Sequence, residues 1–256
     1  MSTPLPTSFV VIPARLHSTR LPRKLLLRDT GRTVLQHTYE AALEAVHPSG
    51  VLVAADHPEI VREVNSFGGE AIMTDPQAAT GTDRVAEAAQ GLACAEIIVN
   101  VQGDEPEIRG ADIDLLVELL ASNPQTDIAT LATPIRSLNQ LHDPNCVKAV
   151  FNRDGQALYF SRSPVPYVRD GWETINFADR GAGPSFYQHI GMYAYRRDFL
   201  LRIREIPRSP IEEREKLEQL RFLAAGYAIQ VGVIESASIG IDTADDYRAF
   251  VLRRAG

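Results

Sequence analysis

Two groups of side chains in this 256-residue chain have the types and spacing to handle a polyphosphate. The first is Arg15, Arg20, Arg23 and Lys24, four cations packed into one short stretch. They follow an apolar run, Phe9 to Ile12, whose β-branched residues predict a buried strand. Pro13 ends that run, since proline has no N–H for a strand ladder. A guanidinium grips phosphate oxygens with a two-pronged fork, and an ammonium adds a point charge. A solvated basic turn is the plainer reading of such a loop. The second group is acidic. Ile97 to Val101 reads as a central strand, and it runs straight into Gln102, Gly103, Asp104, Glu105 and Pro106. Asp242 follows an Ile-Gly-Ile segment near the other end of the chain. Hard carboxylate oxygens suit Mg2+, which takes one or two of them together with substrate phosphates. Each aspartate also has a structural role open to it, as the N-cap of the next helix.

The elements that must position these groups follow from pattern. A helix over 34–45 sits behind Thr33, and Val51 to Ala55 is a second buried strand. Pro58 opens a helix that Gly68 and Gly69 stop, and residues 71–73 form a third strand. This β-α-β-α-β order predicts an α/β fold with a doubly wound, mostly parallel sheet. Ligands in such sheets bind beyond the carboxyl ends of the strands. A polar stretch over 74–84 leads into a helix from about Asp83, and a loop before a helix N-terminus offers free N–H groups. A capped turn is the other reading there. A helix over 111–121 and a strand over 127–135 complete a nucleotide-binding half, residues 1–135.

The second half has a different texture. An Asp-Gly turn within 152–155 predicts a hairpin. Residues 163–185 read as a loop over the site or a dimer contact. Period-two alternation puts His189, Gly191, Tyr193 and Tyr195 on one strand face. An amphipathic helix is predicted over 209–223, a strand over 228–234 and a last helix from about Thr243. One domain is expected, 1–256, in which 136–227 is an insertion and 228–256 returns to the main sheet.

Bulk properties narrow the class. Net charge is -7, which argues against a general nucleic-acid binder. The opening MSTPLPTS has no charged and apolar leader pattern, so no signal peptide is expected, and no apolar run approaches membrane-spanning length. Cys94 and Cys146 stand in no metal-ligand spacing, which predicts two buried thiols in a reduced, cytoplasmic setting. No G-x-G-x-x-G follows the first strand, so a nicotinamide dehydrogenase lacks support.

The segments PARLHSTRLPRKLL, ATGTDR, VQGDEP, HIGMY, LEQLR and GIDT occur in one order along nearly the whole chain. In these segments the sequence resembles the 3-deoxy-manno-octulosonate (Kdo) cytidylyltransferase family. The resemblance implies a nucleotide-diphospho-sugar transferase-like Rossmann variant with a smaller β-rich part for sugar binding and dimerisation. It implies transfer of CMP from CTP to Kdo, releasing diphosphate, as an activation step for lipopolysaccharide synthesis. It implies Mg2+ on Asp104 and Asp242, and phosphates on Arg15, Arg20 and Lys24 beside Pro13 and Ala14. Thr80, Gly81, Thr82 and Arg84 correspond to a cytosine-holding loop. Gln102, Arg162, His189, Tyr193 and Glu218 correspond to nucleotide- and sugar-contacting positions, with Arg162 expected at the sugar carboxylate. A homodimer through the second-half strands is implied, with no nucleic acid or membrane partner. Two departures stand in the basic loop: Arg23 replaces the family's usual Gly and Leu25 its usual Pro, which bears on nucleotide affinity and loop pose. Another acidic sugar, such as 8-amino-Kdo or a sialic-acid-like acceptor, is an alternative substrate. A non-catalytic nucleotide-binding homologue is the alternative to an enzyme.

Overall fold

The computed structural model describes residues 5–172, 175, 177 and 186–255. β1 (Ser8–Ala14), β2 (Val51–Ala55), β3 (Glu70–Met73) and β4 (Ile97–Asn100) pair in parallel in the order β3-β2-β1-β4. The near-continuous apolar runs of β1, β2 and β4 are what a strand covered on both faces requires, while β3, at the sheet edge, is largely exposed. α1 (Val34–Ala42), α2 (Pro58–Ser66), α3 (Gly81–Gln90) and α4 (Gly110–Ser122) provide the cover. Helix starts follow local chemistry. Thr33 accepts the Gln36 N–H, and Pro58 sits in the first turn of α2. α3 begins at Gly81, two residues before the expected start, because Thr80 and Asp83 form a reciprocal capping box.

The second half joins the same sheet. β5 (Ile128–Pro134) pairs in parallel with β9 (Ile229–Val233). Between β4 and β5 lies β8 (Tyr187–Arg196), antiparallel to both, so the full order is β3-β2-β1-β4-β8-β5-β9. The expected insertion thus contributes a central strand to the main sheet. Its alternation holds: Ile190, Met192 and Ala194 enter one core, and Tyr193 and Tyr195 the other. β6 (Lys148–Phe151) and β7 (Ala157–Ser161) form the expected hairpin, with Gly155 at φ +78°, and β6 extends the ladder on β8.

Two expectations are corrected. The helix over 209–223 is two helices, α7 (Pro210–Glu215) and α8 (Gln219–Ala224). Lys216 takes the left-handed conformation, φ 53°, and breaks it. The bidentate ion pair of Arg221 with Glu212, 2.9 and 2.6 Å, holds the two pieces together. Cys146 is buried, but Cys94 is exposed, in the turn before β4. Much of the 163–185 loop, expected over the site or at a dimer contact, lies outside the described residues. α5 (Leu138–His142), α6 (Arg197–Leu201) and the C-terminal α9 (Ala244–Ala255) complete the chain. Among the described residues no helix is long and apolar enough to cross a membrane.

Candidate active site

The carboxyl ends of β1 and β4 open onto a cleft of about 430 Å³. Its walls include Pro13, Arg15, Arg20, Lys24, Gly81, Gln102, Asp104 and Asp242. Residues from both ends of the chain therefore meet at one sheet edge. His17, Ser18 and Thr19 complete the basic side.

Each wall is held by a specific contact. The loop after β1 is tied to the end of β2: the Leu16 N–H donates to Asp56 Oδ1 at 2.9 Å, and the Asp56 N–H donates to the Ala14 carbonyl at 3.1 Å. The Thr38 hydroxyl on α1 donates to the Gly103 carbonyl at 3.0 Å and fixes the turn after β4. Gly103 has no spare room, since a Cβ there would lie 3.1 Å from the Pro13 carbonyl. The Ile241 N–H donates to the Asp104 carbonyl at 2.8 Å, which docks the loop bearing Asp242 onto the loop bearing Asp104. Ser238 donates its hydroxyl to Glu105 in the same joint.

Lys24 sits between the two acids. Its ammonium donates to Asp104 Oδ2, to Asp242 Oδ1 at 3.1 Å and to the Ile241 carbonyl at 2.9 Å. Arg20 also reaches Asp242, at 3.1 Å. Burial pulls the Lys24 ammonium down, but Asp104 and Asp242 outweigh it and leave its pKa raised. Burial pushes the Glu105 carboxyl up to about 7; the Ser238 hydrogen bond opposes this, and the Asp104 and Asp242 charges add to it. Neither aspartate is spent as a helix cap. α9 is capped by Thr243, whose hydroxyl accepts the Asp246 N–H at 3.2 Å while Asp246 accepts the Thr243 N–H at 2.8 Å. Two carboxylates that touch one ammonium lie within reach of one ion, so the donor set fits a hard divalent metal. Among the described residues no three His, Cys, Asp or Glu side chains converge into a metal-holding group.

A second cavity of about 190 Å³ adjoins the first and shares Gly81 and Gln102 with it. Thr82, Tyr193 and Glu218 line it, with Asn100, Tyr195, Gln219 and Phe222. Thr82 donates its hydroxyl to Glu218 at 2.6 Å, and burial raises the Glu218 pKa. Tyr193 and Tyr195 stack with ring centroids 5.7 Å apart. Burial also raises both phenol pKa values well above 10, so the hydroxyls stay protonated donors.

Other expected positions lie elsewhere. Ala14 is buried at the end of β1, paired with Ala55. Thr80 spends its hydroxyl on the α3 cap. Arg84 is fully buried; its Nη1 donates to the Thr74 hydroxyl and the Asp75 carbonyl, while its Nε and Nη2 have no acceptor among the described residues. His189 packs against Tyr193 from behind, with its Nε2 3.0 Å from the Thr130 hydroxyl. Arg162 lines neither cleft. Its Nε donates to the Glu215 carbonyl and its Nη1 to the Pro144 carbonyl. Arg23 turns away from the cleft to pair with Glu59, in the left-handed region at φ 56°. The position usually held by Gly in the family is thus one where glycine's freedom matters. Asn100, Tyr195 and Phe222 escaped sequence reasoning. Asn100 carried a signal as a polar residue closing an apolar central strand, and Tyr195 as a residue on the Tyr193 face of its strand.

The family model described as Cytidylyltransferase matches residues 9–231. The chain belongs to the cytidylyltransferase family. This cytidylyltransferase is 49% identical over 244 residues to the 3-deoxy-manno-octulosonate cytidylyltransferase of Rhodopirellula baltica, covering 95% of this chain and 97% of that one. It is 46% identical over 237 residues to the protein of the same name from Geobacter sulfurreducens, covering 92% and 94%. Among solved structures it is similar to a CMP:2-keto-3-deoxy-manno-octonic acid synthetase complexed with CTP. There the TM-score is 0.89 and the identity 39%, over 97% of this chain and 98% of that one.

Proposed function

We propose that this cytidylyltransferase transfers CMP from CTP to Kdo. The observation that carries the reading is the meeting of Asp104 and Asp242 in a cationic cleft that adjoins a second, smaller cavity. The names of its relatives and of the CTP-bound structure support it. A hydroxyl oxygen of the acceptor attacks the α-phosphorus of CTP, a new P–O bond forms, and the bond to the diphosphate breaks. Such chemistry needs orientation and charge neutralisation more than a covalent nucleophile.

The protein's own groups divide that work. Arg15, Arg20 and Lys24 neutralise the β and γ phosphates and hold the leaving diphosphate. The loop at Thr80 and Gly81 takes the base, and the buried Arg84 holds that loop from below through the Thr74 hydroxyl and the Asp75 carbonyl. Thr82, Tyr193 and Glu218 orient the acceptor in the smaller cavity, whose tyrosine and carboxyl groups suit sugar hydroxyls. Asp104 and Asp242 would hold Mg2+. That ion supplies Lewis-acid stabilisation of phosphoryl charge and a lowered pKa for the attacking hydroxyl. With the Arg162 fork already donating to two backbone carbonyls, a role at the sugar carboxylate requires it to exchange at least one of them. A homodimer through the second-half strands is part of the proposal, and the exposed Leu158 on β7 supports it. Elution volume and scattering mass test that point.

The activity itself is tested with purified protein, CTP and Mg2+ against Kdo, 8-amino-Kdo and a nine-carbon sialic acid, scored by diphosphate release. Kdo is expected to give the highest kcat/KM. A preference for another acid moves the assignment to that substrate, and no release with any of them removes it.

A further inference from the structure

We propose that Lys24 is a built-in stand-in for the divalent ion, so that this chain takes up metal together with nucleotide and binds it poorly alone. The inference rests on Asp104 and Asp242 being the metal-holding pair.

An ammonium has three hydrogens and no more. Those of Lys24 are committed to Asp104, Asp242 and the Ile241 carbonyl, and its side chain is only 13% exposed. The point at which two carboxylates from distant parts of the chain converge is therefore already filled by a cation. Arg20 lies on the same oxygen of Asp242 that Lys24 uses. The two carboxylates thus face two cations and are already paired before any ligand arrives. A divalent ion arriving alone must displace an ammonium from three protein acceptors, with only water offered in exchange. It must also enter against the positive charge of Arg20.

A nucleoside triphosphate changes that balance. Its phosphate oxygens are acceptors for Lys24 and Arg20, and Lys24 has a flexible four-carbon stem with which to swing to them. Its departure frees Asp104 and Asp242, and the incoming negative charge favours a divalent ion. Metal and nucleotide affinities are then coupled, and each raises the other by the same factor. A carboxylate pair without the lysine between it would bind the ion without waiting for nucleotide.

The test is Mn2+ binding read by electron paramagnetic resonance, with and without CTP, corrected for the Mn2+ that CTP holds by itself. The proteins are wild type, Lys24→Met and Lys24→Gln, the second neutral variant guarding against a folding failure of the first. Free wild type is expected to bind Mn2+ weakly and to tighten at least about tenfold with CTP. In the absence of CTP either variant is expected to bind Mn2+ at least about tenfold more tightly than wild type. Mn2+ alone should raise the variants' Tm and leave that of wild type nearly unchanged. Variants that bind Mn2+ alone no better than wild type, while wild type with CTP binds it well, overturn the stand-in and leave the metal site intact. Absence of Mn2+ binding in wild type even with CTP overturns the metal site and the stand-in with it.

Discussion

Ser238 donates its hydroxyl to Glu105 across 2.8 Å and so joins the loop that carries Asp242 to the loop that carries Asp104. Neither residue lines the main cleft. Ser238→Ala removes this contact and leaves the Ile241-to-Asp104 backbone bond and the Lys24 bridge to join the loops. The expected result is a fall in kcat of about tenfold, from a loosened carboxylate pair, with the CTP KM changed less than about threefold. Steady-state kinetics check it, and an equal loss in both parameters would point to general damage.

Arg23 makes a second case of structure set against local preference. Its φ of 56° is costly for any residue with a Cβ. Its ion pair with Glu59 is half exposed, so its contribution is small. Arg23→Ala and Arg23→Gly both delete the side chain, and only the second relieves the backbone. Gly is expected to be more stable than Ala by about 1 kcal/mol in urea denaturation, after its larger unfolded-state entropy is counted. An alanine variant as stable as the glycine one would show that the left-handed turn is not strained.

Burial holds the His189 imidazole down at about 3, against an ordinary 6.5. In the unfolded chain this histidine takes up a proton below pH 6.5, while in the folded protein it stays neutral. Stability that is fully present above pH 6.5 is therefore lost as pH falls toward 3. Between pH 6.5 and 5 the wild type is expected to lose roughly 1–2 kcal/mol more than His189→Gln. Denaturant melts at the two pH values read the difference, and parallel pH profiles would contradict it.

The first-half sheet was legible because β1, β2 and β4 are doubly covered and so spell out apolar runs. The cationic loop and the acidic turn were legible for a related reason: charge placed immediately after such a run has to emerge at the sheet edge. Two features were not. The seat of β8 between β4 and β5 depends on pairing between distant segments, and period two in 189–195 states only that a strand exists. The break at Lys216 lies inside a sequence with good helical periodicity, and only the Arg221–Glu212 clamp shows why the chain turns there. Asp242 had two readings in the sequence. The capping box of Thr243 and Asp246 fills the structural one and leaves its carboxylate to Lys24 and Arg20.

The convergence of Asp104 and Asp242 is the centre of the account, and turnover of Asp242→Ala tests it most directly. With CTP, Kdo and Mg2+ at saturation, diphosphate release is expected to fall roughly 10²–10³-fold, while the protein still binds CTP through its basic loop. An Asp242→Ala enzyme that turns over at the wild-type rate would contradict it.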